Sequence, residues 1–125
     1  MKLLRVSTAV ITTLLFSATV FAADSAPLKA ANGMLVDTAG MTVYTYDKDT
    51  PNSGKSSCVA ACAKNWPPVM AEGTPAAPYS VVTREDGSKQ LAHQGKPLYT
   101  FVKDKKAGDK TGDGVGGAWH VVKGD

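Results

Sequence analysis

The 125-residue sequence is poor in the groups that carry most enzyme chemistry. It holds two cysteines, Cys58 and Cys62, two histidines, His93 and His120, and two glutamates, Glu72 and Glu85, both among turn residues. So few glutamates leave no paired-carboxylate arrangement for glycoside hydrolysis. No serine stands in Gly-x-Ser-x-Gly and neither histidine has a recognisable orienting acid, which argues against a hydrolase triad. The glycine-rich run after Gly108 lacks a strand before it and a Lys-Ser/Thr after it, so it is not a phosphate-cradling loop. Isoleucine is absent after Ile11 and other large aliphatics are scarce, so the core must be small. These absences predict a protein that is not an enzyme.

What is present begins with an export signal. Lys2 and Arg5 precede an uncharged stretch whose apolar heart is 10–16, and Val20-Phe21-Ala22 suits a signal peptidase site. Ser7, Thr8, Thr12, Thr13, Ser17 and Thr19 break this stretch too often for a stable membrane span. The sequence therefore predicts a signal peptide over 1–22, a flexible leader over 23–32 and a two-repeat β domain over 33–125. The expected location is the periplasm or the outside of the cell, with no stable membrane insertion after cleavage. Without the signal, 103 residues remain, with 12 basic and 11 acidic side chains and a net charge of about +1. That balance argues against a nucleic-acid partner or a polybasic membrane contact, both of which need clustered excess charge.

All 12 glycines and all 7 prolines follow the signal, and they punctuate short alternating runs. Strands are expected at 34–36, 41–46, 79–83, 89–93, 97–102 and 119–122. In the second, Met41, Val43 and Thr45 fall on one face and Thr42, Tyr44 and Tyr46 on the other. The connections are too short for crossovers, so pairing should be antiparallel. Ser56 or Ser57 could cap a helix from Cys58 that ends by Asn65, because Pro67-Pro68 cannot continue it. The expected fold is mainly β: a small antiparallel β domain of about six short strands from two related halves, with one short helix.

The halves are visible as a repeat. Residues 40–49 align without gaps onto 95–104, at an offset of 55, and five of the ten pairs are identical. Each copy is followed by a polar or glycine-rich loop and then by a tryptophan, Trp66 or Trp119. Two copies at this spacing indicate duplicated supersecondary units packed on one another. The spacing Tyr-x-aromatic puts two rings on one strand face, able to cover a small core. The aspartate five residues after the tyrosine falls at the strand end, where it can accept loop amides. Exposed instead, the rings Tyr44, Tyr46, Tyr99, Phe101, Trp66 and Trp119 would make a binding face.

Tyr44-x-Tyr46-x-x-Asp49 and Tyr99-x-Phe101-x-x-Asp104 resemble the Y-x-[FWY]-x-x-D element of the bacterial secreted lipoprotein repeat family. The flanks resemble it too: Cys58-x-x-x-Cys62-Ala, Trp66-Pro67-Pro68, Gly95-Lys96-Pro97-Leu98-Tyr99, and the closing Gly-Asp-x-x-Gly-x-Gly-x-Gly-Gly-x-Trp-His run over 108–120. The resemblance spans nearly all of 34–122 and implies a secreted or membrane-anchored protein without an established activity. No cysteine precedes Cys58, so the lipid anchoring of such proteins does not carry over.

The cysteines have two uses. As an i, i+4 pair in an oxidising compartment, Cys58 and Cys62 can form a disulfide that pins the helix and the Trp66-Pro67-Pro68 exit. As thiols, they could serve redox chemistry or hold copper together with His93 or His120 and methionines Met34, Met41 or Met70, since soft ligands select Cu(I). Asp109-x-Thr111-x-Asp113-Gly114 begins like a calcium loop, but His120 stands at its twelfth position where a bidentate acid belongs. The sequence thus predicts an exported non-catalytic envelope protein or interaction module with no cofactor and an unknown envelope partner. The alternative is a periplasmic copper-binding or thiol-redox protein, and a third is a carbohydrate-binding accessory resting on the aromatics alone.

Overall fold

A computed structural model describes residues 27–124 of the chain. The signal peptide, its cleavage site and leader residues 23–26 lie outside the described residues. Seven short strands form three small antiparallel sheets, with one helix, in a mainly β fold.

Two short segments, 43–46 and 98–101, set the architecture. Alternation sends Val43 and Leu98 to one face and Tyr44 and Tyr99 to the other. The segments meet back to back: Tyr44 N–H donates to the Tyr99 carbonyl at 2.7 Å and Tyr99 N–H to the Tyr44 carbonyl at 2.9 Å. That reciprocal pair joins the two repeats backbone to backbone. On one side lies an aliphatic core of Leu28, Leu35, Val43, Leu91 and Leu98. On the other lies an aromatic core of Tyr44, Trp66, Tyr99, Phe101 and Trp119, with Cys58.

The first sheet is a hairpin of β1 (Lys29–Ala31) and β2 (Met34–Val36). Its two-residue turn, Asn32-Gly33, has positive φ at both positions, 53° and 77°, the geometry that Asn-Gly favours in hairpins. This corrects the expected flexible leader: 29–31 form a strand, and Leu28 is buried in the aliphatic core. The small, polar composition of 24–32 conceals a turn dipeptide that specifies pairing by itself.

In the second sheet, β3 (Tyr44–Tyr46) pairs with β7 (Trp119–Val121), placing Tyr44 opposite Val121 and Tyr46 opposite Trp119. The third is a meander of β4 (Tyr79–Thr83), β5 (Lys89–His93) and β6 (Lys96–Pro97), with a second positive-φ turn at Gln94-Gly95. The expected strands 41–46 and 97–102 are shorter than the sequence suggested because they change partners along their length. Leu98 N–H bonds Leu91 of β5, Tyr99 bonds Tyr44, and Thr100 N–H bonds Pro67.

That partner change rearranges the expected halves. β3 of the first repeat is completed by β7, which begins at the tryptophan of the second. Residues 98–100 of the second repeat run beside 67–69, which follow the tryptophan of the first: Thr100 N–H donates to Pro67 at 2.8 Å and Val69 N–H to Leu98 at 2.9 Å. The halves exchange strands rather than folding as separate units that pack.

The helix is also shorter than expected. α1 spans Ala61–Asn65 and has no side-chain cap; Ala60 before it has a φ of 54°. Ser56, an expected cap, instead faces Tyr99 and Arg84. Cys58 lies outside the helix: its carbonyl accepts the Arg84 guanidinium at 2.7 Å, and Cys62 N–H bonds the Val59 carbonyl instead. The C-terminal end falls where Pro67 requires.

Candidate functional site

The repeat motif builds a reciprocal clasp. Tyr44 donates its hydroxyl to Asp104 Oδ2 at 2.6 Å, and Tyr99 donates to Asp49 Oδ2 at 2.6 Å, so each tyrosine reaches the aspartate of the other repeat. Both aspartates sit at the strand end because their own N–H groups close a turn onto Tyr46 and Phe101, at 3.0 and 3.1 Å. The second carboxylate oxygen holds the following loop: Ser57 N–H donates to Asp49 Oδ1 at 2.6 Å, and Thr111 N–H to Asp104 Oδ1 at 2.9 Å. A phenol donating to a carboxylate makes a charge-assisted bond, stronger than a neutral one. Burial first, then the hydrogen bond to Asp104, pushes the Tyr44 phenol well above its ordinary range; burial and Asp49 do the same to Tyr99. Both phenols are therefore neutral donors, not proton-transfer groups at neutral pH.

Around the clasp, four rings form one stack. Tyr46 lies on Trp119 (centroids 4.2 Å apart), Trp119 on Trp66 (3.7 Å) and Trp66 on Phe101 (3.9 Å). Tyr44 meets Trp66 edge-on at 5.4 Å and Tyr99 meets Trp119 edge-on at 5.2 Å. Offset-stacked and edge-to-face contacts are the favoured geometries for such rings. The stack interleaves the repeats, and most of it is interior. Trp66 is 6% exposed and Trp119 5%, with Tyr44 and Tyr99 fully buried and Tyr46, at one end, half-buried. Five of the six rings of the candidate binding face thus lie in a core that the chain's few aliphatics cannot fill, and Tyr46 alone is partly open.

Cys58 and Cys62 are joined by a disulfide, with Cα atoms 5.2 Å apart. Beside it runs a directional chain of polar groups. Arg84 Nη1 donates to Ser56 Oγ at 2.9 Å. Ser56 lies within hydrogen-bond distance of the Tyr99 hydroxyl, and since the Tyr99 proton goes to Asp49, Ser56 is the donor there. The order is thus Arg84, Ser56, Tyr99, Asp49, from buried cation to buried anion. Arg84 also donates to Gln90 Oε1 at 2.8 Å, and Gln90 Nε2 to the Leu98 carbonyl at 2.7 Å. Among the described residues no buried side-chain polar atom lacks a partner.

The remaining candidates are scattered. His120 Nε2 meets Asp47 Oδ2 at 2.7 Å on the surface, again joining the two repeats, while His93 packs beside Tyr79. Asp109 accepts the N–H groups of Lys105 and Lys106, and Asp113 that of Val121 at 3.1 Å, so the calcium-like loop is a set of backbone clamps. Among the described residues no three His, Cys, Asp or Glu side chains gather as a metal site. The expected copper set of Cys58, Cys62, His93 and His120 is thus not brought together, and its sulfurs are bonded to each other. An open groove of about 810 Å³ lies along the linker between the repeats, lined by Leu28, Met70, Glu72, Pro75, Tyr79 and Leu91 among others. It gathers no reactive constellation.

No local pattern marks Arg84 or Gln90 as part of this network, and the roles of Ser56 and Gly112 differ from the cap and loop positions their sequence context indicates. Gly112 N–H donates to the Tyr44 hydroxyl at 3.1 Å, and a Cβ there would come within 2.7 Å of the Trp66 ring. One signal for Arg84 was available: every other basic residue after the signal segment is lysine. A single arginine in such a chain suggests a place that needs a planar fork of donors.

Fold and clasp together define a class: two short repeats that exchange strands, locked by mutual tyrosine–aspartate bonds over a shared ring stack. The chain belongs to Lipoprotein_15, a family described as a secreted repeat of unknown function, which matches twice, at residues 26–70 and 80–123. The boundary between the matches falls in the linker, so each match is one of the strand-exchanging halves. No curated protein and no solved structure matches the chain significantly. Among the described residues no helix is long and apolar enough to cross a membrane.

Proposed function

We propose that the protein is an exported, non-catalytic interaction module of the bacterial envelope. One observation carries this reading: the side chains that could do chemistry are engaged in holding the halves together. Tyr44, Tyr99, Asp49 and Asp104 bond one another, Arg84 and Ser56 serve the same network, and the two sulfurs are paired. Binding then belongs to the outer loops, which the clasp holds in place.

Photo-crosslinkers placed singly at the exposed positions Val59, Val81 and Val102 in exporting cells test the reading. A discrete adduct from one position and not the others is expected. Turnover by the purified protein in thiol–disulfide exchange or copper oxidation, abolished by Cys62→Ser, would overturn it in favour of the copper or redox alternative.

A further inference from the structure

The near-neutral composition conceals a local cluster of lysines. Residues 103–110 carry Lys103, Lys105, Lys106 and Lys110, all exposed, with Asp104 and Asp109 between them. Asp104 is 6% exposed and turned inward onto Tyr44 and Thr111. Asp109 is half-buried, and its Oδ2 takes the N–H of Lys105 at 2.9 Å and of Lys106 at 3.2 Å. These carboxylates lie at backbone level, whereas the four ammonium groups end long flexible stems. Among the described residues no acid forms an ion pair with any of the four lysines. A flat anionic surface arriving within the Debye length of about 8 Å meets the ammonium layer first.

The loop is also preformed. Asp109 closes it, the Thr42 hydroxyl donates to the Asp109 carbonyl at 2.6 Å, and a Cβ at Gly40 would stand 3.1 Å from Ala107. Binding would need little new backbone order. The matching first-repeat loop holds only Lys48 and Lys55, and its Asp47 is in the ion pair, so the cluster is a property of one repeat and not of the scaffold.

We propose that the 103–110 loop docks the exported protein on an anionic phospholipid surface. Two features favour lipid over nucleic acid. The loop has no aromatic side chain on which bases could stack. Val102, 39% exposed and adjacent to Lys103, supplies an apolar contact for the headgroup boundary. The proposal rests on the interaction-module reading and names its partner class.

The test uses protein recovered from the exported fraction and two kinds of vesicle, phosphatidylcholine alone and phosphatidylcholine with roughly 30% phosphatidylglycerol. Co-sedimentation with the anionic vesicles only is expected, and it should be lost as ionic strength rises to about 0.5 M. Each lysine-to-glutamine change at 103, 105, 106 and 110 should weaken partitioning roughly five-fold. A control with Lys29, Lys55, Lys64 and Lys96 changed to glutamine removes the same charge elsewhere and should stay within about five-fold of the parent. Near-UV circular dichroism checks both folds, and the pair K105Q/K106Q alone serves should the fourfold variant misfold. No preference for anionic vesicles would overturn the proposal, as would equal loss in both variants. Retention on heparin without vesicle binding would overturn it too, by assigning the loop to another polyanion. The crosslinking positions Val59 and Val81 lie outside the loop, so adducts there are read independently of vesicle binding and the two readings fail separately.

Discussion

At Tyr99 a single, fully buried hydroxyl joins the half-buried Arg84–Ser56 hydrogen bond to the Asp49 carboxylate. Removing it leaves Asp49 without that donor, which costs more than the bond itself is worth in water. Tyr99→Phe and Tyr44→Phe are each expected to lose about 1–3 kcal/mol in denaturant unfolding. The discriminating measurement is a set of double-mutant cycles with Asp→Asn. Coupling is expected between Tyr44 and Asp104 and between Tyr99 and Asp49, and none between tyrosine and aspartate of the same repeat. Alkaline pH reads the same bonds. Both phenols are raised in the folded state, so stability is full below the unfolded value of about 10 and falls as pH rises past it, because the unfolded chain releases protons that the folded chain keeps. Tyrosinate absorbance should develop in two stages, the second coinciding with loss of near-UV circular dichroism. Smooth titration near pH 10 with the fold intact would contradict the clasp. Of this site the motif spacing made the ring face and the strand-end aspartate legible. Which aspartate each hydroxyl meets was not, because the partner lies 60 residues away for Tyr44 and 50 for Tyr99 and no local pattern encodes it.

Among the elements, the single-turn α1 and the loop before it show most directly how context overrides propensity. An alanine-rich run with serines ahead reads as a capped helix, yet Arg84 draws the Cys58 carbonyl away and Ala60 turns at positive φ. The disulfide substitutes for the missing helical turn. Cys58→Ser with Cys62→Ser is expected to lower stability by about 2 kcal/mol, as befits so short a closed loop. The glycine-rich segment before β7 behaves differently, since its demand is for space. Gly112→Ala would push a methyl against Trp66 and Phe101 and is expected to cost about 1–3 kcal/mol, with a change in tryptophan fluorescence as the stack shifts. An unchanged melting temperature and spectrum would show that the rings can give way. β1 was legible in Asn32-Gly33, and small-residue composition was the weaker guide there.

For the whole molecule, strand exchange makes the halves interdependent. β3 needs β7, residues 98–100 need 67–69, and Trp66 and Trp119 stack on each other and on rings of opposite repeats. Cleavage in the linker at Gly73 is therefore expected to give two pieces that are unfolded apart and form a stoichiometric complex when mixed. Circular dichroism and size-exclusion chromatography would follow this. A half that keeps a cooperative melt alone would show that the repeats are autonomous.

The mainly β architecture, the duplication, the antiparallel sense of pairing and the side of each strand on which rings and aliphatics lie can all be read from the amino-acid order alone. All of these follow from local periodicity and turn chemistry, which act over a few residues. Folding in three dimensions sets that the repeats trade strands, that all but one of the six rings are buried, and that Asp49 and Asp104 turn inward while the neighbouring lysines remain outside. Those outcomes depend on which groups lose water together, and desolvation is a property of neighbours in space.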